Sequence, residues 1–185
     1  MRLERFEGVA AFQGRVGPFL EAREAEHNLL LGISAGLTTN PEISEGPPYL
    51  AAVADEGAVR LVAIRTPPYN LVLSEIDDVR LLAPLVEDLA GADLPGVVGP
   101  EADVAAFADA WSARTGRPNR REMVERIFHL SRVRSVPRPG GAMRPAQESD
   151  RALIADWLIA FSAEALPTEE PPVPQSGARQ SPRTR

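Results

Sequence analysis

The chain has 185 residues, 44% apolar and 25% charged, enough for one ordinary domain with a real core and some length to spare. It has no cysteine, which excludes disulfides and thiolate metal sites, and no run approaches the roughly 18 apolar residues of a membrane helix. The net charge of −6 divides into −7 for residues 1–166 and +1 for the tail, an acidic body that gives no reason to expect nucleic-acid binding. Neither nucleic acid nor a membrane is therefore expected as a partner. Met1 to Leu20 lacks the apolar centre of a signal peptide, so the cytoplasm is the expected location.

In chain order, Arg2–Phe6 reads as a short strand, and Val9, Phe12, Val16 and Phe19 recur at helical spacing. Gly17-Pro18 is expected to restart the chain, with a second helix running from Phe19 to Leu37. Tyr49–Ala54 and Val59–Arg65 form a hairpin around Asp55-Glu56-Gly57-Ala58. Thr66-Pro67-Pro68 breaks the second strand, and Asn70–Ser74 resumes as a strand apolar on both faces, hence central. Asp77–Leu89 reads as a helix that kinks at Pro84 or starts near it. Gly96–Val98 is a short strand, and Glu101–Arg114 a helix stopped by Gly116. Met123–Val133 is expected to be a long strand. Residues 135–141 then form a Pro/Gly linker, followed by a strand at Met143–Ala146 and a helix over 148–166. The fold class is α/β (α+β): a mixed, mainly antiparallel sheet flanked by helices, in the order β-α-α-β-β-β-α-β-α-β, with an incomplete second unit at 142–166.

From Pro167 the chain becomes PTEEPPVPQSGARQSPRTR, too polar and proline-rich to build a core, and it is expected to be disordered. All 20 basic residues are Arg, a bias of GC-rich coding. A native disordered tail and the product of a frameshift both account for such text.

Four phrases, EAEHNLLLG at 24–32, RTPPYNLVLS at 65–74, LPGVVGP at 94–100 and GAMRPAQESDRALIADW at 141–157, resemble GNAT-type N-acetyltransferases. They are similar to a bacterial branch with two GNAT units in tandem, the first of them degenerate. The resemblance covers residues 1–166 and implies a sheet that splays between its fourth and fifth strands to admit acetyl-CoA. No metal is expected, because the only two histidines, His27 and His129, lack ligand spacing. The resemblance also implies a diphosphate held by backbone N–H groups at a helix start, behind an Arg/Gln-x-x-Gly-x-Gly/Ala loop. The matching place here reads SEIDDVRLL at 74–82, which has no glycine and sets Glu75, Asp77 and Asp78 where two phosphates would go. The second unit stops before its own loop. The only tyrosines, Tyr49 and Tyr69, lie in the first unit, so no tyrosine of the second is left to protonate the departing thiolate.

Other motifs are weighed on their residues. Gly32-Ile33-Ser34-Ala35-Gly36 matches the nucleophile-elbow pattern, but a helix and not a strand is expected before it. His27 and His129, the latter expected on a strand, have no metal-ligand spacing. Glu26, His27 and Asn28 form a polar trio at the start of an apolar run, either a helix surface turning into the core or a contact for substrate. Tyr69 and Asn70 are candidates for the edge of the cleft, the alternative being a bulge forced by two prolines.

The resemblance thus implies transfer of an acetyl group from acetyl-CoA to an amine of unspecified identity, in a chain expected to be inactive or weak because the diphosphate loop is missing. The alternative is a non-catalytic accessory or dimerising module. Leu153, Trp157 and Phe161 on the 148–166 helix are expected to pack on the first unit or on a second copy.

Overall fold

A computed structural model describes residues 1–137 and 140–165. The 167–185 tail, residue 166 and positions 138–139 of the expected linker lie outside them. By its contacts the chain divides into Met1–Arg132 and Val133–Arg185.

The first unit is a five-stranded mixed sheet in the order β1-β2-β3-β4-β5. Its strands are β1 (Arg2–Arg5), β2 (Tyr49–Asp55), β3 (Ala58–Arg65), β4 (Leu71–Leu73) and β5 (Val97–Val98). The first three pairings are antiparallel and β4–β5 is parallel, with Leu71 opposite Val97 and Val72 opposite Val98. A parallel pair needs a crossover, and α3 (Leu82–Leu89) supplies it. The β2–β3 hairpin closes through Glu56 and Gly57, both at positive φ, a turn that suits the twist of paired strands.

Successive side chains of β2, β3 and β4 point to opposite faces, and both faces are covered. On one, Leu50, Ala52, Val62, Ile64 and Val72 pack against Phe12, Val16 and Leu20 of α1 (Val9–Glu21) and Leu30 and Leu37 of α2 (Asn28–Thr39). On the other, Ala51, Val53, Leu61, Ala63, Leu71 and Leu73 meet α3 together with Phe107 and Trp111 of α4 (Glu101–Thr115). Burial on both sides is why these strands read as nearly unbroken apolar runs. α4 starts with Glu101 and Asp103, ends with Arg114 and stops at Gly116 in the left-handed conformation, each favourable to its helix end.

Three expectations are corrected. The chain does not restart at Gly17-Pro18: α1 runs through Pro18 to Glu21, and the break falls at residues 22–27. Phe12, Val16 and Leu20, four residues apart and at most 1% exposed, keep one helix together. Their burial, on the order of 2 kcal/mol each, outweighs the roughly 3 kcal/mol cost of an internal proline. The long strand at Met123–Val133 is not formed, so the last β of the expected order is missing and His129 lies on no strand. The segment has strand composition, but among the described residues no strand edge pairs with it. The short strand at Met143–Ala146 is likewise absent. There Arg144 turns back to Asp150, at 2.6 and 2.9 Å, and the same carboxylate accepts from the Gln147 N–H. Beyond this turn α5 (Arg151–Ala165) carries Leu153, Trp157 and Phe161 exposed.

The expected helix at Asp77–Leu89 is a short 3-10 turn, Val79–Leu81, followed by α3, which places Pro84 in the first turn where its missing N–H costs nothing. No described helix is long and apolar enough to cross a membrane.

Candidate functional site

Two openings and one turn concern the expected site. The first opening lies where the sheet changes from antiparallel to parallel. It is a groove of about 540 Å³ between Leu29 and Ile33 of α2, Ile43, the Thr66–Asn70 turn, Val72 of β4 and Val98 of β5. No charged residue lines it. The prolines shape its rim: Tyr69 N–H bonds to Thr66 O at 2.9 Å, Glu45 N–H to Pro67 O at 2.8 Å, and Arg65 Nε to Tyr69 O at 3.0 Å. The chain must pass close here. A methyl group on Gly99 would stand 2.8 Å from Leu73 O, and one on Gly96 would meet the Asn70 amide at the same distance. Tyr69 and Asn70 both line this groove, both exposed.

The second opening is a wider gap of about 950 Å³ between the α1–α2 corner, Glu21–Asn28, and residues 126–129. Glu26 and Asn28 line it, with Arg126 and His129 opposite. The Glu26 carboxyl lies below its usual range, held there first by its own backbone N–H and then by Arg23. Asn28 spends its amide on Ala25 O at 2.6 Å.

His27 lines neither opening. It is 2% exposed, stacks on Phe19 at 5.3 Å and places Nδ1 3.0 Å from Leu20 O. With Nδ1 protonated, the ring donates to a carbonyl at the end of α1, where helical partners run out. Its Nε2 is buried with no hydrogen-bond partner among the described residues. The five candidates therefore do not converge: Tyr69 and Asn70 belong to the groove, Glu26 and Asn28 to the corner, and His27 to the packing between helices. Thr66, Leu29 and Ile33 complete the groove, yet nothing in their local pattern marks them, because the turn and α2 meet only through the sheet.

The third place is the turn from β4 into α3, where the resemblance puts a diphosphate. Ser74 is buried, donates to Glu75 O at 3.1 Å, and through Oγ accepts from the Val62 N–H at 3.0 Å. The Ile76 N–H is already given to Asp103 Oδ2 at 3.1 Å, and the Arg80 N–H to Asp78 Oδ1 at 2.9 Å. Glu75 pairs with Arg23, and Asp77 with Arg60. Asp78 also grips the Arg80 guanidinium, and that partner, with the Arg80 amide next, holds its carboxyl down at about 2. An anion brought here meets two amides already bonded to carboxylates, and four carboxylates (Glu75, Asp77, Asp78 and Asp103) against three arginines. The residues present do not fit a diphosphate.

Ser34 of the elbow-like motif sits inside α2, is 5% exposed and donates to Leu31 O at 3.1 Å, so it is no exposed nucleophile. The second tyrosine, Tyr49, donates to Asp88 Oδ2 at 2.8 Å under the Arg5 guanidinium. Burial, then the Asp88 bond, pushes its hydroxyl well above the usual tyrosine range, and its proton is engaged by Asp88. Among the described residues no group of three His, Asp or Glu side chains is placed to hold a metal ion.

Comparison with models of protein families, with curated proteins and with solved structures gave no match for this chain.

Proposed function

We propose that this chain is a GNAT-type unit that does not hold acetyl-CoA and acts as a non-catalytic accessory module. Acetyl transfer to an amine is the activity its sequence phrases imply, and in this chain that activity is absent or weak. The fold reading is supported by the strand order, by helices α1 and α2 between the first two strands, and by the single parallel pairing at the fourth and fifth strands. The acidic balance of residues 1–166 speaks against nucleic acid as a partner. The cytoplasm remains the location we infer.

One observation carries the non-catalytic reading. The Ile76 and Arg80 amides, which would face a bound anion, instead donate to Asp103 and Asp78. Phosphate would have to displace Asp103 or Asp78 from these amides and then stand beside that carboxylate as a second negative group, so binding is opposed twice. Calorimetry with acetyl-CoA, together with CoA release in the presence of a panel of amines, tests this. No heat of binding and no release above the enzyme-free rate are expected. Tight binding, or robust turnover by the 185-residue chain, overturns the reading.

A further inference from the structure

The sheet ends at β5, a two-residue strand bonded to β4 on one side and, among the described residues, to no strand on the other. The same unit carries a segment composed like a strand and paired with none. Met123, Val124, Ile127, Phe128 and Leu130 are between 46% and 87% exposed. So many large apolar side chains exposed together mark a surface meant to be covered.

The path of the chain keeps this segment off its own sheet. Arg117 pairs with Asp93 at 2.9 Å, Asn119 bonds to Asp109 and Ser112, and Arg121 pairs with Glu101 at 2.8 Å. These contacts lead the chain back along α4 toward its first residue. Residues 126–129 then stand across the gap of about 950 Å³ from the α1–α2 corner without closing it. Charge points outward as well. Of the five arginines in residues 117–132, Arg117, Arg120 and Arg121 pair within the chain, which leaves Arg126 and Arg132 beside Glu125, whereas residues 1–116 hold eighteen acidic residues against eight arginines, a net of −10.

We propose that Met123–Arg132 is a strand for a second copy of this chain, joining it along the free edge of β5 in a two-fold exchange. Each copy gives one strand and receives one, which closes the assembly at two. The ladder on so short an edge is brief, so side chains and charge carry most of the association. Val98 lines the apolar groove, and one face of the incoming strand therefore covers the mouth of that groove, including the half-exposed Leu29. Arg126 and Arg132 of one copy approach the acidic body of the other, favouring encounter in this orientation. The proposal stands apart from any reading of acetyl-CoA chemistry.

The absence of native cysteine makes single-cysteine probes clean. Purified Val98→Cys and Phe128→Cys proteins, one carrying a mass tag, are mixed and oxidised gently. A disulfide joining the two different chains is expected, and none with Arg2→Cys on the far edge in place of Val98→Cys. Light scattering should give twice the 20.0 kDa chain mass, falling to one chain in the Phe128→Asp/Leu130→Asp variant. Both side chains are exposed, so that variant should keep the circular dichroism of the parent. A parent that is monomeric, or no disulfide between the Val98→Cys and Phe128→Cys chains, overturns the proposal. So does a dimer that survives Phe128→Asp/Leu130→Asp and is lost in Trp157→Asp, since that assigns association to α5.

Discussion

Strand β3 and the segment Met123–Val133 read alike in sequence: both interleave branched and apolar residues with arginine, and both suit a pleated surface. β3 lies between two antiparallel neighbours with Leu61 and Ile64 fully buried, while in the segment Phe128 is 87% exposed and no strand forms. Composition is the same kind of statement in both places, and only one of them has neighbours. A strand is a relation between segments, because its backbone donors and acceptors are satisfied across a ladder and not within itself. Helices differ in this respect. α4 satisfies its own backbone, which is why its start, its stop and its buried Phe107 and Trp111 follow from local pattern.

The contrast is sharpest under core truncation. Leu61→Ala should cost about 2–5 kcal/mol by loss of buried surface and the cavity left behind. At dilutions where the chain is monomeric, Ile127→Ala should change stability by no more than about 0.5 kcal/mol. Urea midpoints of the two variants compare them directly, and similar losses would mean the segment is paired within one chain after all.

A smaller effect tests the junction beside the groove. In Gly99→Ala the new methyl meets Leu73 O at 2.8 Å, backbone that cannot swing aside, so β4 and β5 must separate. A cost of about 1–3 kcal/mol is expected from such overpacking. Unchanged melting in this variant would mean that the strands part freely there.

The smallest effect concerns the acidic turn. The Asp78 pKa is lowered to about 2 from 3.8 by Arg80, so its contribution is present above pH 3.8 and is lost as pH falls through 2. Between pH 5 and 2 the parent should therefore lose slightly more stability than Asp78→Asn does. Equal losses would show that Asp78 is a solvated charge and not a cap for the Arg80 amide.

Much of the site was legible and its assembly was not. Glycine-free acidity at 74–82 already argued against a diphosphate from residue types alone, since like charges repel in any fold. That Asp103, from a different helix, supplies the carboxylate bonded to Ile76 could not be read, being a contact across twenty-seven residues. The same limit explains the candidates. Glu26, His27 and Asn28 are neighbours in sequence, yet the helix corner turns His27 inward and leaves the other two at the surface. Tyr69 and Asn70 share the groove with Leu29 and Ile33 only because α2 packs on that face of the sheet.

Residue order alone decided what local physics can decide: the hairpin turn, the α4 stop, the buried character of β2 to β4, and the acidic composition of the 74–82 turn. Tertiary structure decided which apolar runs became strands, whether α1 continued through its proline, and which polar side chains share an opening. Those outcomes depend on partners distant in sequence, whose burial and hydrogen bonds outweigh any preference a short stretch has by itself.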